Sequence, residues 1–147
     1  MNQIRPIAIC LFRHRDRILV AEGYDPIKEQ TFYRPLGGGI EFGEYSEQTI
    51  RRELREEIGA EVCQLKYLGT LENVYVFNGA TGHEIVQVYD GELKDAGLYE
   101  QDVILGHELD IDSPFQAVWK NTDEFGEGKA ILYPTGLLEM LAVRDLP

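Results

Sequence analysis

One segment of the sequence, Ser46–Ile58, has the periodicity of an amphipathic helix and restricts the fold more than any other. Its aliphatic residues recur at intervals of four, at Ile50, Leu54 and Ile58, so they share one face of a helix. Ser46 is a residue type that caps helix N-termini, and Gly59 follows where a left-handed residue often ends a helix. We therefore expect a helix over these residues whose apolar face packs against a larger structure.

The same helix carries a concentration of acidic residues beside its apolar face. Glu53, Glu56 and Glu57 are i, i+3 and i+4 neighbours, which brings their carboxylates together within an arc of about 100°. Such like charges repel, and Arg52 is placed to offset them through its i+4 relation to Glu56. Two interpretations are open: a solvated helix face laced with Glu–Arg pairs, or a site where a divalent cation such as Mg²⁺ gathers carboxylate oxygens. The glycine run Gly37-Gly38-Gly39 favours the second, because a loop without β-carbons can approach a metal or a phosphate closely.

The remainder of the chain predicts a mixed α/β fold. An N-terminal hairpin turns at His14–Asp16, and a C-terminal helix is expected over Thr135–Val143. Two segments without a regular pattern, Tyr24–Tyr33 and the acidic stretch Asp95–Ser113, are expected to be loops. The expected strands are Ile4–Phe12, Arg17–Ala21, Leu65–Leu71, Val74–Phe77, Ile85–Leu93 and Ala117–Lys120. Antiparallel strands with one central and one C-terminal helix favour a single domain over residues 1–147.

The net charge of −12 restricts the kind of ligand. Long nucleic acids are bound through Lys and Arg side chains that release counterions, and no basic stripe is present, so we expect no such partner. A small phosphorylated ligand stays compatible with this charge if a divalent cation mediates its binding. No apolar run is long enough to span a membrane, and residues 1–6 do not resemble a secretory signal. Cys10 and Cys63 lack metal-ligand spacing, so free thiols in a reducing compartment, and hence a cytoplasmic location, are expected.

At the glycine run and the acidic helix, the sequence is similar to the Nudix box, G-x5-E-x7-R-E-U-x-E-E-x-G-U, in which U is aliphatic. Its defined positions are filled in register by Gly38, Glu44, Arg52, Glu53, Leu54, Glu56, Glu57, Gly59 and Ala60. The last position is a soft match, because Ala60 stands where Ile, Leu or Val is usual. Just before the box many members read Pro-Gly-Gly, whereas this chain reads Arg34-Pro35-Leu36-Gly37. The resemblance, to a MutT-like single-domain member with its box at residues 38–60, implies a Nudix-type α/β/α sandwich in which a mixed β-sheet carries the box helix and a C-terminal helix.

The resemblance also implies an activity. Such proteins hydrolyse a pyrophosphate bond in a nucleoside diphosphate linked to another moiety, for example a nucleoside triphosphate or ADP-ribose, with Mg²⁺ or Mn²⁺ as the cofactor. It assigns Glu56 and Glu57 as core metal ligands and Glu53 as a third ligand or the general base. The backbone carbonyl of Gly38 or of Gly37 is implied as a further ligand.

Two more box residues are implied in supporting roles. Arg52 is expected to orient the glutamates through a salt bridge, and Glu44 to support the loop and the metal shell. The general base is Glu53 or an acidic residue of the 95–113 segment, with Glu53 preferred. The alternatives in that segment, each of which could equally be a solvated loop charge, are Glu100, Asp102 and Glu108.

Substrate contacts are expected outside the helix. Arg34 and, with less support, Arg5 are candidate phosphate ligands, and Gly37 and Gly39 could let a phosphate approach the backbone. Tyr75 is a candidate for stacking on a base. Further stacking candidates, each of which could instead be a core residue, are Tyr33, Phe77 and Trp119.

The substrate itself stays open. Tyr75 stands where ADP-ribose-type members tend to carry a proline, and Phe77 where dinucleoside-polyphosphate members tend to carry a tyrosine. The chain therefore resembles the MutT-like nucleoside triphosphate group at least as well as these two. His83-Glu84 and His107-Glu108 lack the second His of a zinc-binding helix and are interpreted as strand-end and loop polar residues. The alternative function is a Nudix-fold nucleotide-binding sensor or regulator with weak catalysis. The chain is expected to be a monomer or a homodimer.

Overall fold

The computed structural model describes residues 2–109 and 111–144. Within these residues the chain forms seven strands and three helices. The strands are β1 (Ile4–His14), β2 (Arg17–Asp25), β3 (Gln30–Gly39), β4 (Val62–Phe77), β5 (Ala80–Leu93), β6 (Val103–Glu108) and β7 (Ser113–Asn121). The helices are α1 (Ser46–Ile58), α2 (Thr122–Gly126) and α3 (Leu137–Arg144), and a short 3-10 helix covers Ala96–Glu100. No helix in this described part of the chain is long and apolar enough to cross a membrane.

The strands form one mixed sheet in the order β4-β5-β1-β3-β2-β7-β6. β1 runs parallel to β5, and the other neighbouring strands are antiparallel. β1 and β2 form the predicted hairpin only at its closed end, where Arg13 pairs with Ile18 and His14 with Arg17. Beyond that end β3 lies between the two strands and pairs with both. This insertion carries the glycine run to the middle of the sheet.

Alternating side chains of β1 point to opposite faces of the sheet, and each face is covered by a helix. The core on one side includes Ala8, Cys10 and Phe12 of β1 with Ile50 and Leu54 of α1. The core on the other side includes Ile7, Ile9 and Leu11 of β1 with Leu137 and Leu141 of α3. Each large aliphatic side chain buried in this way contributes about 1.5 to 3 kcal/mol. The predicted α/β/α sandwich is confirmed.

The prediction of a loop over Tyr24–Tyr33 is wrong. β2 continues to Asp25 and β3 begins at Gln30, and these two residues pair with each other. The Asp25 carboxylate accepts hydrogen bonds from the backbone N–H groups of Ile27 (2.9 Å) and Lys28 (3.2 Å). A side-chain cap of this kind closes a short turn, so the polar composition marks only the turn and not the strands on either side of it.

The expected irregular segment Asp95–Ser113 also contains regular structure. At its start, the Asp95 side chain accepts a hydrogen bond from Gly97 N–H (2.9 Å) and caps the 3-10 helix. The edge strand β6 follows and pairs with β7. The sequence of β6, VILGHE, does not alternate, so its regularity comes from pairing with a distant segment rather than from local pattern.

Two smaller differences concern strand and helix boundaries. The expected strands Leu65–Leu71 and Val74–Phe77 are parts of the single strand β4, because the residues between them pair with Ile85 and Glu84 of β5. The C-terminal helix is confirmed and begins two residues later than expected, whereas the five-residue helix α2 was not anticipated.

Candidate functional site

Helix α1 is fixed at both ends by hydrogen bonds to its backbone. The helix begins at Ser46, so its N-cap is Tyr45 rather than the expected Ser46. The Gln48 side chain reaches back and accepts a hydrogen bond from Tyr45 N–H at 2.7 Å. At the other end Gly59 has φ 66°, and its N–H donates to the Arg55 carbonyl at 2.9 Å. With both ends fixed and its apolar face buried, the helix holds its acidic arc against the end of β3.

The glycine run is the end of strand β3 rather than the expected loop. Its three residues continue the ladder with β1, where Gly38 pairs with Ala8. A Cβ on Gly38 would lie 2.5 Å from the Glu53 Cδ, so the Glu53 carboxyl occupies the space that another side chain would need. Gly37 has φ 150°, and a Cβ there would collide with the Ala8 carbonyl oxygen. The glycines therefore allow a close approach to the backbone, as expected. The groups that approach are the Glu53 side chain at Gly38 and the neighbouring strand β1 at Gly37.

Arg52 connects the helix, the preceding loop and the strand end. Its Nε and Nη2 donate to the two carboxylate oxygens of Glu44 at 2.8 and 3.0 Å. Nη1 donates to Glu53 (2.9 Å) and to Glu56 (3.2 Å), and Nη2 also donates to the Gly39 carbonyl (2.9 Å). One guanidinium thus fixes two of the three glutamates of the acidic arc relative to β3.

Glu44 is the anchor of this network, and its charge state provides a stability test. Hydrogen bonds from Arg52 hold the pKa of Glu44 down to about 2, against an ordinary value of 4.5, with a further contribution from the Thr49 hydroxyl. Because the folded-state pKa is depressed, the pair stabilises the fold above about pH 4.5, and that stabilisation is lost as the pH falls toward 2. We expect Glu44→Gln to lower the free energy of unfolding by roughly 1 to 2 kcal/mol at pH 7 and by much less at pH 3, measured by urea denaturation. Glu41→Gln is the control, because Glu41 lies 3.7 Å from the same arginine with a side chain 69% exposed, and an equal loss in both variants would contradict the prediction.

Glu57 is the most deeply buried carboxylate of the arc. It is 5% exposed, and within the described ranges its Oε1 has no hydrogen-bond partner. Burial raises the pKa of Glu57 to about 10, and the nearby carboxylates of Glu108 and Glu53 add to the shift. Burial also raises the pKa of Glu53, although Arg52 opposes that change. Three carboxyl groups therefore meet in a poorly hydrated place, where a bare negative charge is unfavourable.

Among the carboxylates considered in the 95–113 segment, Glu108 lies beside α1. Glu108 ends β6 and contributes to the raised pKa of Glu57. Glu100 ends the 3-10 helix, where its Oε1 lies 3.8 Å from Nε2 of His14. Asp102 is exposed between that helix and β6. Glu108 was only one of several candidates in the sequence, since its position depends on the pairing of β6 with β7.

This set of donors fits a hard divalent cation. Carboxylate oxygens are the ligands that Mg²⁺ prefers, and the unpartnered Oε1 of Glu57 is a ligand atom without another role. Within residues 2–109 and 111–144, no three Asp, Glu, His or Cys side chains already have the spacing of a complete ligand set. Instead, Arg52 binds one oxygen each of Glu53 and Glu56. A cation would satisfy Glu57 and offset the repulsion among its neighbours.

A cavity of about 290 Å³ extends from Glu108 along the sheet. Two residues predicted to contact substrate, Arg34 and Tyr75, line it together, and so does the stacking candidate Phe77. The aromatic residues of its wall are Phe32, Tyr75, Phe77, Phe115 and Tyr133. Glu108, which contributes to the shifted pKa of Glu57, also lines this cavity, so the acidic cluster and the aromatic wall adjoin each other.

The other two stacking candidates are core residues. The Tyr33 ring packs edge-on against Phe125, with ring centroids 6.1 Å apart. Trp119 stacks on Tyr99 at 5.3 Å, and its Nε1 donates to the Leu98 carbonyl at 3.3 Å. Both rings are fully engaged by the protein and are not available to a ligand.

Arg34 and Arg5 lie against a shared buried carboxylate. Nη2 of Arg34 is 3.7 Å from one oxygen of Glu84, and Nη1 of Arg5 is 3.9 Å from the other. The parallel pairing of β1 with β5 places Arg5 directly beside Glu84. Glu84 was interpreted from sequence as a strand-end polar residue, because nothing local reveals this long-range pairing.

Comparison with known proteins is consistent with this geometry. The NUDIX domain family matches residues 2–129 of this chain. NAD-capped RNA hydrolase NudC of Pseudomonas aeruginosa is 38% identical over 68 residues, which cover 46% of this chain and 24% of that protein. NAD(P)H pyrophosphatase NUDT13, mitochondrial, of Homo sapiens is 42% identical over 65 residues, which cover 44% of this chain and 18% of that protein. The matched part of the chain spans about a quarter or less of the length of these curated relatives.

Solved structures of low sequence identity share the fold. A NUDIX hydrolase from Nitrosomonas europaea has a TM-score of 0.66 at 18% identity, covering 95% of this chain and 87% of that one. A MutT NUDIX hydrolase from Burkholderia pseudomallei has a TM-score of 0.63 at 18% identity, covering 99% of this chain and 100% of that one. The resemblance seen in the box is confirmed by the family match over most of the sequence, and this chain belongs to the NUDIX domain family.

Proposed function

We propose that this chain hydrolyses the pyrophosphate bond of a nucleoside diphosphate linked to another group. The observation that supports this most is that Glu53, Glu57 and Glu108 meet beside an aromatic cavity, which Glu108 and Arg34 both line. A carboxylate cluster that can gather a divalent cation, a guanidinium for phosphate and rings for a base match the chemical parts of such a substrate. The names of the relatives, an NAD-capped RNA hydrolase and an NAD(P)H pyrophosphatase, agree with this class.

The metal ligands that we propose are the carboxylates of Glu53, Glu56 and Glu57 with the backbone carbonyl of Gly38. Mg²⁺ is the proposed ion, with Mn²⁺ as the alternative, because both prefer oxygen ligands. When bound, such a cation neutralises phosphate charge and lowers the pKa of a coordinated water. Arg52 would orient Glu53 and Glu56 through the hydrogen bonds described above.

Glu108 is our proposed general base, in place of the Glu53 favoured by the box pattern. Glu108 lines the cavity in which the substrate would lie, so a water between the two is within reach of its carboxylate. Glu53 packs against Gly38 and accepts a hydrogen bond from Arg52, so its carboxylate is held at the strand end. This geometry favours a ligand role for Glu53.

The phosphates and the base are assigned to different residues of the cavity. Arg34 would contact phosphate, and Tyr75 would stack on the base or close the cavity against it. A Cβ on Gly39 would meet only Nη2 of Arg5, at 3.5 Å, so this glycine leaves room for a phosphate beside the Arg5 guanidinium. Gly37 faces the Ala8 carbonyl, and we attribute its requirement for glycine to strand packing rather than to substrate.

A substrate screen tests the proposed function. The purified protein would be incubated with Mg²⁺ or Mn²⁺ and with NADH, ADP-ribose, dinucleoside polyphosphates and nucleoside triphosphates in turn. We expect at least one of them to be cleaved at its pyrophosphate bond, with release of a nucleoside monophosphate and complete dependence on the metal. Because the sequence has a net charge of −12 and no basic stripe for an RNA backbone, free NADH should be cleaved in preference to NAD-capped RNA.

Two results would count against this function. Cleavage that persists in excess EDTA would contradict the proposed role of the acidic cluster. Tight nucleotide binding without cleavage of any compound would favour the alternative of a nucleotide-binding sensor or regulator. Analytical ultracentrifugation of the same sample would distinguish a monomer from a homodimer.

A further inference from the structure

Glu84 is a fully buried carboxylate that the roles proposed so far do not use. It is 1% exposed and lies on β5 in the interior of the sheet. Arg5, on the adjacent strand β1, and Arg34, on β3 beyond it, approach its two oxygens at 3.9 and 3.7 Å. Asn73 Nδ2 and the Tyr75 hydroxyl donate to it at 3.5 and 3.4 Å. Four polar side chains from β1, β3 and β4 are thus gathered around one charge.

The two arginines face different parts of the site. Arg34, whose side chain is 38% exposed, lines the aromatic cavity, whereas Arg5, whose side chain is 57% exposed, lines a second cavity of about 280 Å³. That second cavity also contains Gly39 and Glu53, so Arg5 lies on the side of the carboxylate cluster. One guanidinium therefore lines the cavity with the aromatic wall and the other lines the cavity with the proposed metal ligand Glu53, and both contact the buried Glu84.

This arrangement is better suited to orientation than to stability. A buried carboxylate costs desolvation, and ion pairs with half-exposed arginines return little of it. Two neighbouring guanidinium groups repel each other, so without Glu84 each long side chain would turn separately into solvent. With Glu84 the three charges sum to one positive charge, and the N–H groups turned away from Glu84 stay free for an anion.

We propose that Glu84 is a positioning residue that holds Arg5 and Arg34 as a two-guanidinium clamp for a diphosphate group. The clamp rests on the proposed function and narrows it to substrates with at least two linked phosphates between the metal site and the base. Arg34 would contact the phosphate next to the base, and Arg5 the phosphate next to the carboxylates. Glu84 would not touch the substrate.

Inorganic pyrophosphate, titrated by calorimetry in the presence of Mg²⁺, tests the clamp without turnover. We expect Glu84→Gln to weaken pyrophosphate binding about tenfold and to leave the affinity for Mg²⁺ alone unchanged, because an amide does not hold two charged hydrogen-bond donors in place. In an Arg34→Ala background the same substitution should have less than about a threefold further effect, since one of the two groups that it positions is already absent. Glu84→Asp, which keeps the charge, should recover part of the affinity. Glu92→Gln is the matched control, because Glu92 is exposed on the same strand.

The same variants, assayed with NADH, separate this inference from the function on which it rests. If Glu84→Gln raises KM for NADH and changes kcat less than about threefold, Glu84 positions the clamp. If NADH is not cleaved, the expected weakening of pyrophosphate binding supports the clamp on its own. Unchanged or tighter pyrophosphate binding in Glu84→Gln, or an equal loss in the presence and absence of Arg34, would overturn the clamp. Should Glu84→Gln fail to fold, Arg5→Ala and Arg34→Ala must each weaken pyrophosphate binding, and unaltered binding in either variant would overturn the clamp.

Discussion

Replacement of Glu57 by Gln is expected to lower kcat/KM by about a thousandfold, or about 4 kcal/mol of transition-state stabilisation, while making the metal-free protein more stable. Activity falls because the amide carries no charge to hold a cation in the place where Glu53 and Glu108 also point. Stability rises because Glu57 is 5% exposed, with a pKa of about 10 against an ordinary value of 4.5. A raised folded-state pKa means that the contribution of Glu57 to wild-type stability is most favourable below about pH 4.5 and declines as the pH rises toward 10. The neutral amide avoids that decline and can donate a hydrogen bond to either neighbouring carboxylate.

Melting temperatures in EDTA and in Mg²⁺, together with kcat/KM at pH 7, check both parts of this expectation. Mg²⁺ should raise the melting temperature of the wild type, because it binds the folded state, and should not raise that of Glu57→Gln. Glu47→Gln is the control, since Glu47 is an exposed residue in the first turn of the same helix and should behave as the wild type in both assays. Wild-type turnover in Glu57→Gln, or an undiminished response of its melting temperature to Mg²⁺, would show that Glu57 is not a metal ligand.

The acidic helix and its partners within the box could be predicted from the sequence because their geometry is local. The spacing of Glu53, Glu56 and Glu57 determines their arc on any α-helix, and Gly59 ends that helix as its position indicates. Ile50 and Leu54 identify the buried face without knowledge of what covers it. Arg52 was placed against Glu56 by the same rule, although its stronger contact is with Glu44 in the preceding loop.

The rest of the site depends on strand pairing, which local patterns do not encode. Glu108 reaches Glu57 because β6 pairs with β7 at the far edge of the sheet, and Glu84 meets Arg5 because β5 runs parallel to β1. Both residues follow a histidine in short polar segments, and composition alone favours a loop or strand end for each. Tyr75 and Phe77 were distinguishable from the core residues Tyr33 and Trp119 only once the register of the sheet was known.

The glycine run illustrates a partial success. The sequence indicated that backbone without a β-carbon is needed next to the acidic arc, and the close packing of Glu53 on Gly38 has that form. A hinge or loop was the wrong structure, because β3 is inserted between β1 and β2 and its last residues remain in the ladder. A strand end is a stiffer support than a loop and cannot easily shift to make room for a side chain. The Glu53 carboxyl can therefore occupy its position only because Gly38 has no Cβ.

Gly38→Ala is accordingly expected to lower kcat/KM about a hundredfold, because a displacement of about 1 Å at a catalytic group can cost that much. The added Cβ would lie 2.5 to 2.8 Å from Cδ and both oxygens of Glu53, so this carboxyl has to leave its present position. It cannot move freely, because its Oε1 also accepts the hydrogen bond from Arg52. The apparent affinity for Mg²⁺, measured by calorimetry, should fall with activity.

Gly39→Ala provides the comparison that separates this effect from a general loss of glycine. A Cβ at that position would meet only Nη2 of Arg5, at 3.5 Å, which is ordinary van der Waals contact, so its effect should be at least about tenfold smaller. Combining Gly38→Ala with Glu53→Asp tests the mechanism directly, since the shorter side chain withdraws the carboxyl from the added methyl group. If the collision with Glu53 is the cause, Glu53→Asp should cost less activity in the Gly38→Ala background than in the wild type. Equal losses in the two backgrounds would mean that Gly38 acts through the strand backbone and not through the position of Glu53.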